Sequence, residues 1–506
     1  MDSSFAAWRK LISGSDIRGS EDRLTEEFAE KIGYAFALWT ARRFSLPPDK
    51  ICLAVGHDPR LTGPRLKEAL IEGMRAADSD VLDCGMCTTP AMTLACVDGV
   101  GSQNRRKAHG AIMITASHRP ANWNGFKFIT RDGGLSAADV ESLISTAATV
   151  ELPDPLVREV ALQSAYAESL KDVVHRRLND LSAKPLLGLH VIVDAGSGAG
   201  GFYAGLLNEL GANTDGSRNL EPDSRFPSGV PNPEDAAALA YISREVPSRG
   251  ADLGVLFDAD GDRAAFVDRD GRSINRNRLI ALIAAILLDE QPGLTFVTDS
   301  VTSSGLQQFI NEWGGTHYRY KRGYRNVIEE AIRLNDEGVD CPLAIETSGH
   351  AAFRENHFID DGMYLATRLI YEAMRLKREG LTLSSRIADL HEPVESAEIR
   401  LPVLDEENYR AAAQEVIETV LSHTLDDPDW ELAPDNREGV RISFNLDGGV
   451  RNAWFQLRIS VHDPVIPVNA ESDVPGGVRR ILKGLYDLIR DVDTLDLRAL
   501  RDVAEG

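Results

Sequence analysis

Asp258, Asp260 and Asp262 stand at alternate positions directly after an apolar run, with Arg263 next in line. Carboxylates packed this closely repel one another unless something positive sits between them, and their hard oxygens suit a divalent cation such as Mg2+. The stretch is no EF-hand loop, because Arg263 stands where that loop needs its glycine and Arg269 where it needs its glutamate. Ser117 follows another apolar run, beside His118 and ahead of Asn124, Gly125 and Lys127. It is either an exposed nucleophile or a turn serine capping the next helix. The Gly-x-Ser-x-Gly elbow occurs neither here nor elsewhere in the chain, which disfavours acyl transfer.

Glu346-Thr-Ser-Gly-His350 brings an acid, hydroxyls and an imidazole to one turn, a mixture of donors and acceptors that suits sugar hydroxyls. A lone His350 would equally serve as a structural histidine. Lys321, Arg322 and Arg325 cluster in an otherwise acidic protein, and Arg18, Arg60 and Arg458 lie in turns that contain Gly or Ser. Each is a candidate phosphate contact or a solvated cation. Two features suggest other chemistry. Gly196-Ser-Gly-Ala-Gly-Gly201, with Asp215 further on, formally meets the dinucleotide fingerprint, but the acid cluster and the serine turn would then have no role in hydride transfer. Cys84-Gly-Met-Cys87 has no second half-site, so the cysteines read as small buried hydrophobes.

These turns need elements to hold them. Apolar β-branched runs at 51–55, 111–115, 189–193, 253–257, 295–298 and 343–345 alternate with amphipathic segments, the pattern of βαβ units with buried strands. Ligands of open α/β sheets sit beyond the carboxyl ends of strands, which is where the serine, the acids and the sugar-type turn fall. Helices are expected at 64–75, 156–181 and 407–421. Beyond Ser396 the texture becomes α+β, with an acidic loop at 426–438. At 506 residues the chain is too long for one core. Its net charge of −23, with no local basic stripe, argues against nucleic acid and anionic membrane. Five scattered cysteines, the absence of a signal-type start and the lack of a long apolar run lead to the expectation of a soluble intracellular protein, cytoplasmic or inside an organelle.

Taken in order, the serine turn, the Asp-x-Asp-x-Asp-Arg loop and the Glu-x-Ser-Gly-His turn resemble the α-D-phosphohexomutase superfamily, of the phosphomannomutase/phosphoglucomutase type. Gly14-Ser-Asp-Ile-Arg-Gly19 is similar to its N-terminal signature and Gly56-His-Asp-Pro-Arg-Leu-Thr-Gly63 to its first-domain arginine loop. Phe226-Pro-Ser-Gly-Val-Pro-Asn-Pro-Glu234 resembles its second-domain turn, and Thr115-Ala-Ser-His-Arg-Pro120 its Thr-Ala-Ser-His-Asn-Pro loop. Asp360-Asp-Gly362 follows the sugar loop as it does there. The resemblance implies an α/β protein of three successive mixed-sheet α/β domains and a C-terminal α+β domain around a central cleft, here expected at 1–152, 153–272, 273–394 and 395–506. It implies interconversion of hexose 1-phosphate and hexose 6-phosphate through a phosphoserine at Ser117, with hexose 1,6-bisphosphate as intermediate and activator. One Mg2+ would be held by Asp258, Asp260, Asp262 and a phosphoserine oxygen.

By the same resemblance, His118, Lys127, Arg263 and His350 would join Ser117 in catalysis, Lys127 and His350 near proton transfer. Arg18, Lys321, Arg322, Glu346, Ser348 and His350 would bind the sugar phosphate. The phosphate loop departs from the family's Arg-Pro-Ser-Gly/Asn-Thr-Glu-Pro: Arg458-Ile-Ser-Val-His-Asp-Pro464 keeps Arg458, Ser460 and Pro464, with His462 and Asp463 as replacement groups. Phosphoglucosamine mutase activity, a sugar-phosphate-binding protein with weak or no mutase activity, and a phosphatase or phosphotransferase with Asp258 as nucleophile are the alternatives. A monomer or homodimer is expected.

Overall fold

The computed structural model describes residues 3–100, 106–150, 152, 158–405, 408–460 and 463–506. The chain divides into two compact units, Met1–Asn275 with Ser348–Ser385, and Arg276–Thr347 with Arg386–Gly506.

In the first unit the leading sheet is mixed. Cys52–His57 runs parallel to Asp80–Met86 and to Gly110–Ile114. Gly110–Ile114 pairs antiparallel with Trp123–Thr130, and that strand pairs antiparallel with Asp16–Ser20. This last register sets Asp16 opposite Lys127 and Arg18 opposite Gly125. Phe28, Phe36, Leu53, Val55, Leu70, Ile112, Phe126 and Phe128 form the core beneath. Helices Glu26–Phe44 and Gly63–Ala76 cross where a Cβ on Gly73 would stand 1.7 Å from the Glu30 carbonyl oxygen, so only glycine permits the approach.

The second sheet runs Ser273–Ile274, Ala264–Asp268, Leu253–Phe257, Val191–Asp194. Leu253–Phe257 is buried on both faces, which is why it reads as an unbroken apolar run. It lies parallel to Val191–Asp194 and antiparallel to Ala264–Asp268, with Phe257 opposite Ala264. Residues 258–263 therefore form the tip between two adjacent strands, and Gly261 supplies the left-handed residue (φ +73°) that the tight acidic turn needs. Helix Gly362–Arg378 packs its first residue against the Arg263 backbone, within 2.5 Å of where a Cβ would fall.

In the second unit Thr316–Arg319, Thr295–Thr298 and Leu343–Ile345 are parallel neighbours. The C-terminal sheet is antiparallel in the order Glu395–Pro402, Val465–Ser472, Ala453–Leu457, Val440–Phe444, Glu431–Leu432. Helices Tyr409–His423 and Gly477–Ile489 pack against it. The fold is thus three α/β sheets followed by a fourth, α+β, part. All six anticipated strands are present within two residues of their expected starts. The helix expected at 156–181 is shorter, Leu162–Leu178, ending at a left-handed Asn179. No helix among the described residues is long and apolar enough to cross a membrane.

Candidate active site

Ser117 leaves the strand Gly110–Ile114 in a left-handed conformation, φ +53°, which a residue with a Cβ adopts at a cost and which the surroundings must enforce. Its amide donates to Thr115 Oγ1 at 2.9 Å, and Thr115 donates to Asp58 Oδ2 at 2.8 Å. Arg60, buried and paired with Asp58, donates to the carbonyls of Ser117, Arg119, Pro120 and Trp123 at 2.6–2.9 Å. All five of its N–H groups are spent, so Arg60 is the clamp of the serine turn and no phosphate contact.

Ser117 Oγ is buried among functional groups. It donates to Asp258 Oδ2 at 3.4 Å, lies 3.3 Å from His118 Nδ1 and accepts from Arg263 Nη2 at 3.1 Å. The same guanidinium holds Asp258 through Nε at 3.0 Å, while the amides of Gly261 and Arg263 take the other Asp258 oxygen. An aspartyl nucleophile would have to shed these bonds, which disfavours Asp258 in that role. Lys127 Nζ bonds Asp262 and stands 3.3 Å from Asp260 Oδ2. Thr89 donates to the same Asp260 oxygen at 2.9 Å. His350 Nδ1 lies 2.7 Å from Asp360 Oδ2, and a backbone bridge ties His350 to Arg263.

The electrostatics follow from this packing. Burial, reinforced by Asp260 and Asp262, lifts Asp258 well above the usual carboxylate range despite Arg263. Burial acts the same way on Asp262, but Lys127, His350 and Arg263 outweigh it and hold that carboxyl low. His350 is pulled down by burial and pushed up more strongly by Asp360 and Asp262, to about 9. His118 is depressed to about 2, first by the Arg263 charge and then by burial. One imidazole is therefore cationic at neutral pH and the other neutral.

The three aspartates fit a divalent metal. Their ligand oxygens lie within 4.8 Å of one another, all three side chains are fully buried, and Asp260 Oδ1 and Asp262 Oδ1 are buried without a hydrogen-bond partner. Oxygen-only ligands this close together suit a hard divalent cation.

Ser117, His118, Lys127, Arg263, His350 and the three aspartates all converge in the first unit. Arg18 belongs there too, bonded to Asp16 at 2.9 Å, as does Ser348, whose buried Oγ has no hydrogen-bond partner. Lys321, Arg322, Glu346, Arg458 and Ser460 belong to the second unit. Glu346 accepts from the Gly323 amide at 2.6 Å, Ser460 accepts from the Asp463 amide at 3.2 Å, Arg458 is buried and Lys321 is exposed. His462 lies outside the described residues.

Sequence reasoning missed Thr89 and the pairing of Asp360 with His350. Nothing local marks Thr89. Of the two acids before the helix Gly362–Arg378, Asp361 caps it by accepting from Tyr364 N at 2.7 Å, which leaves Asp360 for the imidazole. The glycine turn 196–201 holds no dinucleotide fingerprint in function. A Cβ on Gly198 would meet Ala259 O at 2.6 Å, one on Gly201 would meet Leu220 O at 1.7 Å, and Ala199 N donates to Ala259 O. Gly198 thus admits the backbone of the acidic tip, and Gly201 that of Leu220, where a pyrophosphate would have to lie. The five cysteines are buried and none is in a disulfide, and burial pushes Cys84 up to about 12.

Three family models match the chain: phosphoglucomutase/phosphomannomutase alpha/beta/alpha domain I over residues 9–152, domain II over 164–271 and domain III over 275–394. A phosphomannomutase/phosphoglucomutase of Pseudomonas syringae pv. tomato is 30% identical over 497 residues, covering 96% of this chain and 97% of its own. Proteins named phosphohexose mutases in Xanthomonas campestris pv. campestris are 32% identical over 467 residues, covering 90% and 94%. A crystal structure of a phosphoglucomutase/phosphomannomutase family protein from Burkholderia thailandensis superposes with a TM-score of 0.78 at 26% identity, over 98% of both chains.

Proposed function

The chain belongs to the phosphoglucomutase/phosphomannomutase family of phosphohexomutases, and from that premise we propose that it interconverts hexose 1-phosphate and hexose 6-phosphate through phosphorylated Ser117. The observation that carries this reading is the placement of Ser117 Oγ, held out by a left-handed turn between Arg263 and Asp258 at the rim of the buried acid cluster.

In the proposed cycle the bond between phosphorus and Ser117 Oγ breaks as one forms to a free hydroxyl of the hexose monophosphate, giving the 1,6-bisphosphate. The bisphosphate turns over and its other phosphoryl group returns to Ser117, so the protein ends as it began. Phosphoryl transfer asks mainly for positioning and charge neutralisation. Arg263 meets both needs at Ser117 Oγ. One Mg2+ held by Asp258, Asp260, Asp262 and a phosphoserine oxygen would supply the remaining charge neutralisation. Lys127 fixes Asp260 and Asp262. The hydroxyl proton ends on Ser117 Oγ by way of His350, which, kept cationic by Asp360, gives one proton to the leaving Oγ and takes the hydroxyl's in exchange, whereas His118, kept neutral, steadies Ser117 without adding charge. Glu346 and Ser348 take sugar hydroxyls. Arg18, Lys321, Arg322, Arg458, Ser460 and His462 take phosphate. The domains proposed to deliver these groups are 1–152, 153–272, 273–394 and 395–506.

A coupled assay with Mg2+ and a hexose 1,6-bisphosphate primer tests this across glucose, mannose, glucosamine and N-acetylglucosamine 1-phosphates. Turnover of glucose or mannose 1-phosphate to the 6-phosphate is expected. Turnover confined to the amino sugars would reassign the substrate, and binding of all four with no isomerisation would sink the reading.

A further inference from the structure

The acidic loop that closes at Glu438 has no place in the chemistry so far, yet it holds the backbone of Arg322 and, through Gln456, the strand that leads into Arg458. Glu438 Oε2 accepts from Ser300 Oγ and, at 3.1 Å, from the backbone amide of Arg322. The adjacent amide, Gly323 N, is taken by Glu346 at 2.6 Å. Two carboxylates thus fix successive peptide groups of the loop that carries Lys321 and Arg322, one from the sugar-type turn and one from the C-terminal sheet. Asp299 secures the sugar-type turn in turn, accepting from Thr347 Oγ1 at 2.6 Å.

Glu438 is also tied to Arg458. Gln456, on the strand Ala453–Leu457 that runs into Arg458, donates its side-chain amide to the Glu438 carbonyl at 3.0 Å. Burial and the Arg322 guanidinium both pull Arg458 below its ordinary range, and Glu438 is the foremost charge opposing them. Arg322 and Arg458 are therefore near enough to repel each other in a poorly solvated place, and Arg458 Nε is buried there without a hydrogen-bond partner. Two like charges stay together in such surroundings only when a counter-charge is fixed beside them.

Building on the phosphohexomutase reading, we propose that Glu438 is a positioning residue that sets the spacing of Arg322 and Arg458, so that both guanidiniums meet one phosphate of the substrate. Glu438 touches no reacting atom in this account. It acts on substrate capture through the Arg322 amide and the Ser300 hydroxyl, and it lies outside the altered loop 458–464, whose lost glycine and threonine it helps to offset.

The test measures kcat and KM for glucose 1-phosphate on the full-length protein and on Glu438→Ala and Glu438→Gln, with thermal melting of each. With the Arg322 amide and the Ser300 hydroxyl released, KM for Glu438→Ala should rise about tenfold or more while kcat stays within about threefold. Glu438→Gln, whose amide oxygen still accepts both bonds but which carries no counter-charge for the two arginines, should recover only part of that loss. An unchanged KM in Glu438→Ala, a fall confined to kcat, or no rescue by glutamine would overturn the proposal. If Glu438→Ala fails to fold, Glu438→Asp, too short to reach both donors, should show the same rise in KM. If the unmutated protein turns over no hexose phosphate, the mutase reading fails by itself. Calorimetric titration of the same proteins with glucose 6-phosphate then decides the role of Glu438, with weakened binding in alanine and recovery in glutamine supporting it and equal affinities refuting it.

Discussion

Arg263 donates from Nη2 to Ser117 Oγ at 3.1 Å and from Nε to Asp258 Oδ2 at 3.0 Å. One planar group thus sets the distance between the proposed phosphoryl carrier and a proposed metal ligand. A lysine keeps the charge but offers no fork to hold both partners. Arg263→Lys should lower kcat by about 100-fold or more in the mutase assay, since preorganised donors at a transferring group contribute roughly that much. A variant within threefold of the parent would show that charge alone suffices.

The buried oxygens Asp260 Oδ1 and Asp262 Oδ1 lead to a metal prediction. Dialysis against a chelator should abolish turnover, and Mg2+ should restore it. Thr89 orients Asp260 through a 2.9 Å bond, and partners of ligating carboxylates typically shift metal affinity by about 10- to 100-fold. Thr89→Val should therefore raise the Mg2+ concentration for half-maximal activity by about tenfold with saturated kcat little changed. Activity that survives complete removal of divalent ions would refute the metal assignment.

Asp361 gives a prediction for stability. Burial raises its carboxyl to about 6 although Tyr166, the Tyr364 amide and Asn356 all donate to it. The folded state prefers this acid protonated, so its contribution to stability is complete below the unfolded carboxyl's range and is lost as pH rises through 6. A shift of this size is worth on the order of 3 kcal/mol. Asp361→Asn keeps the helix cap and removes the charge. Denaturant midpoints measured between pH 4 and 7 should fall less steeply for the variant, and parallel curves would place the titration elsewhere.

What could be read from the sequence depended on how local the cause was. The strands at 253–257 and 343–345 are legible because burial on both faces forces an unbroken apolar run, and the acid cluster because its members are neighbours in the chain. The clamp formed by Arg60 is not, since its carbonyl partners lie some 60 residues downstream, and Thr89 is 171 positions from Asp260. The glycine turn 196–201 misleads for a related reason: glycine records that something approaches the backbone closely, and only the fold reveals that at Gly198 it is Ala259 and at Gly201 Leu220. Glu438 is hidden in a run of surface-like acids, because the amide it serves belongs to a different sheet.

The central claim is that Ser117 Oγ carries the phosphoryl group. After incubation with glucose 1,6-bisphosphate and Mg2+, mass spectrometry of the intact protein and of the peptide containing Ser117 should show one added phosphate on that serine, and Ser117→Ala should carry none and lose turnover by at least about 1000-fold. A fully active Ser117→Ala, or phosphate trapped on Asp258 with Ser117 unmodified, would contradict the account.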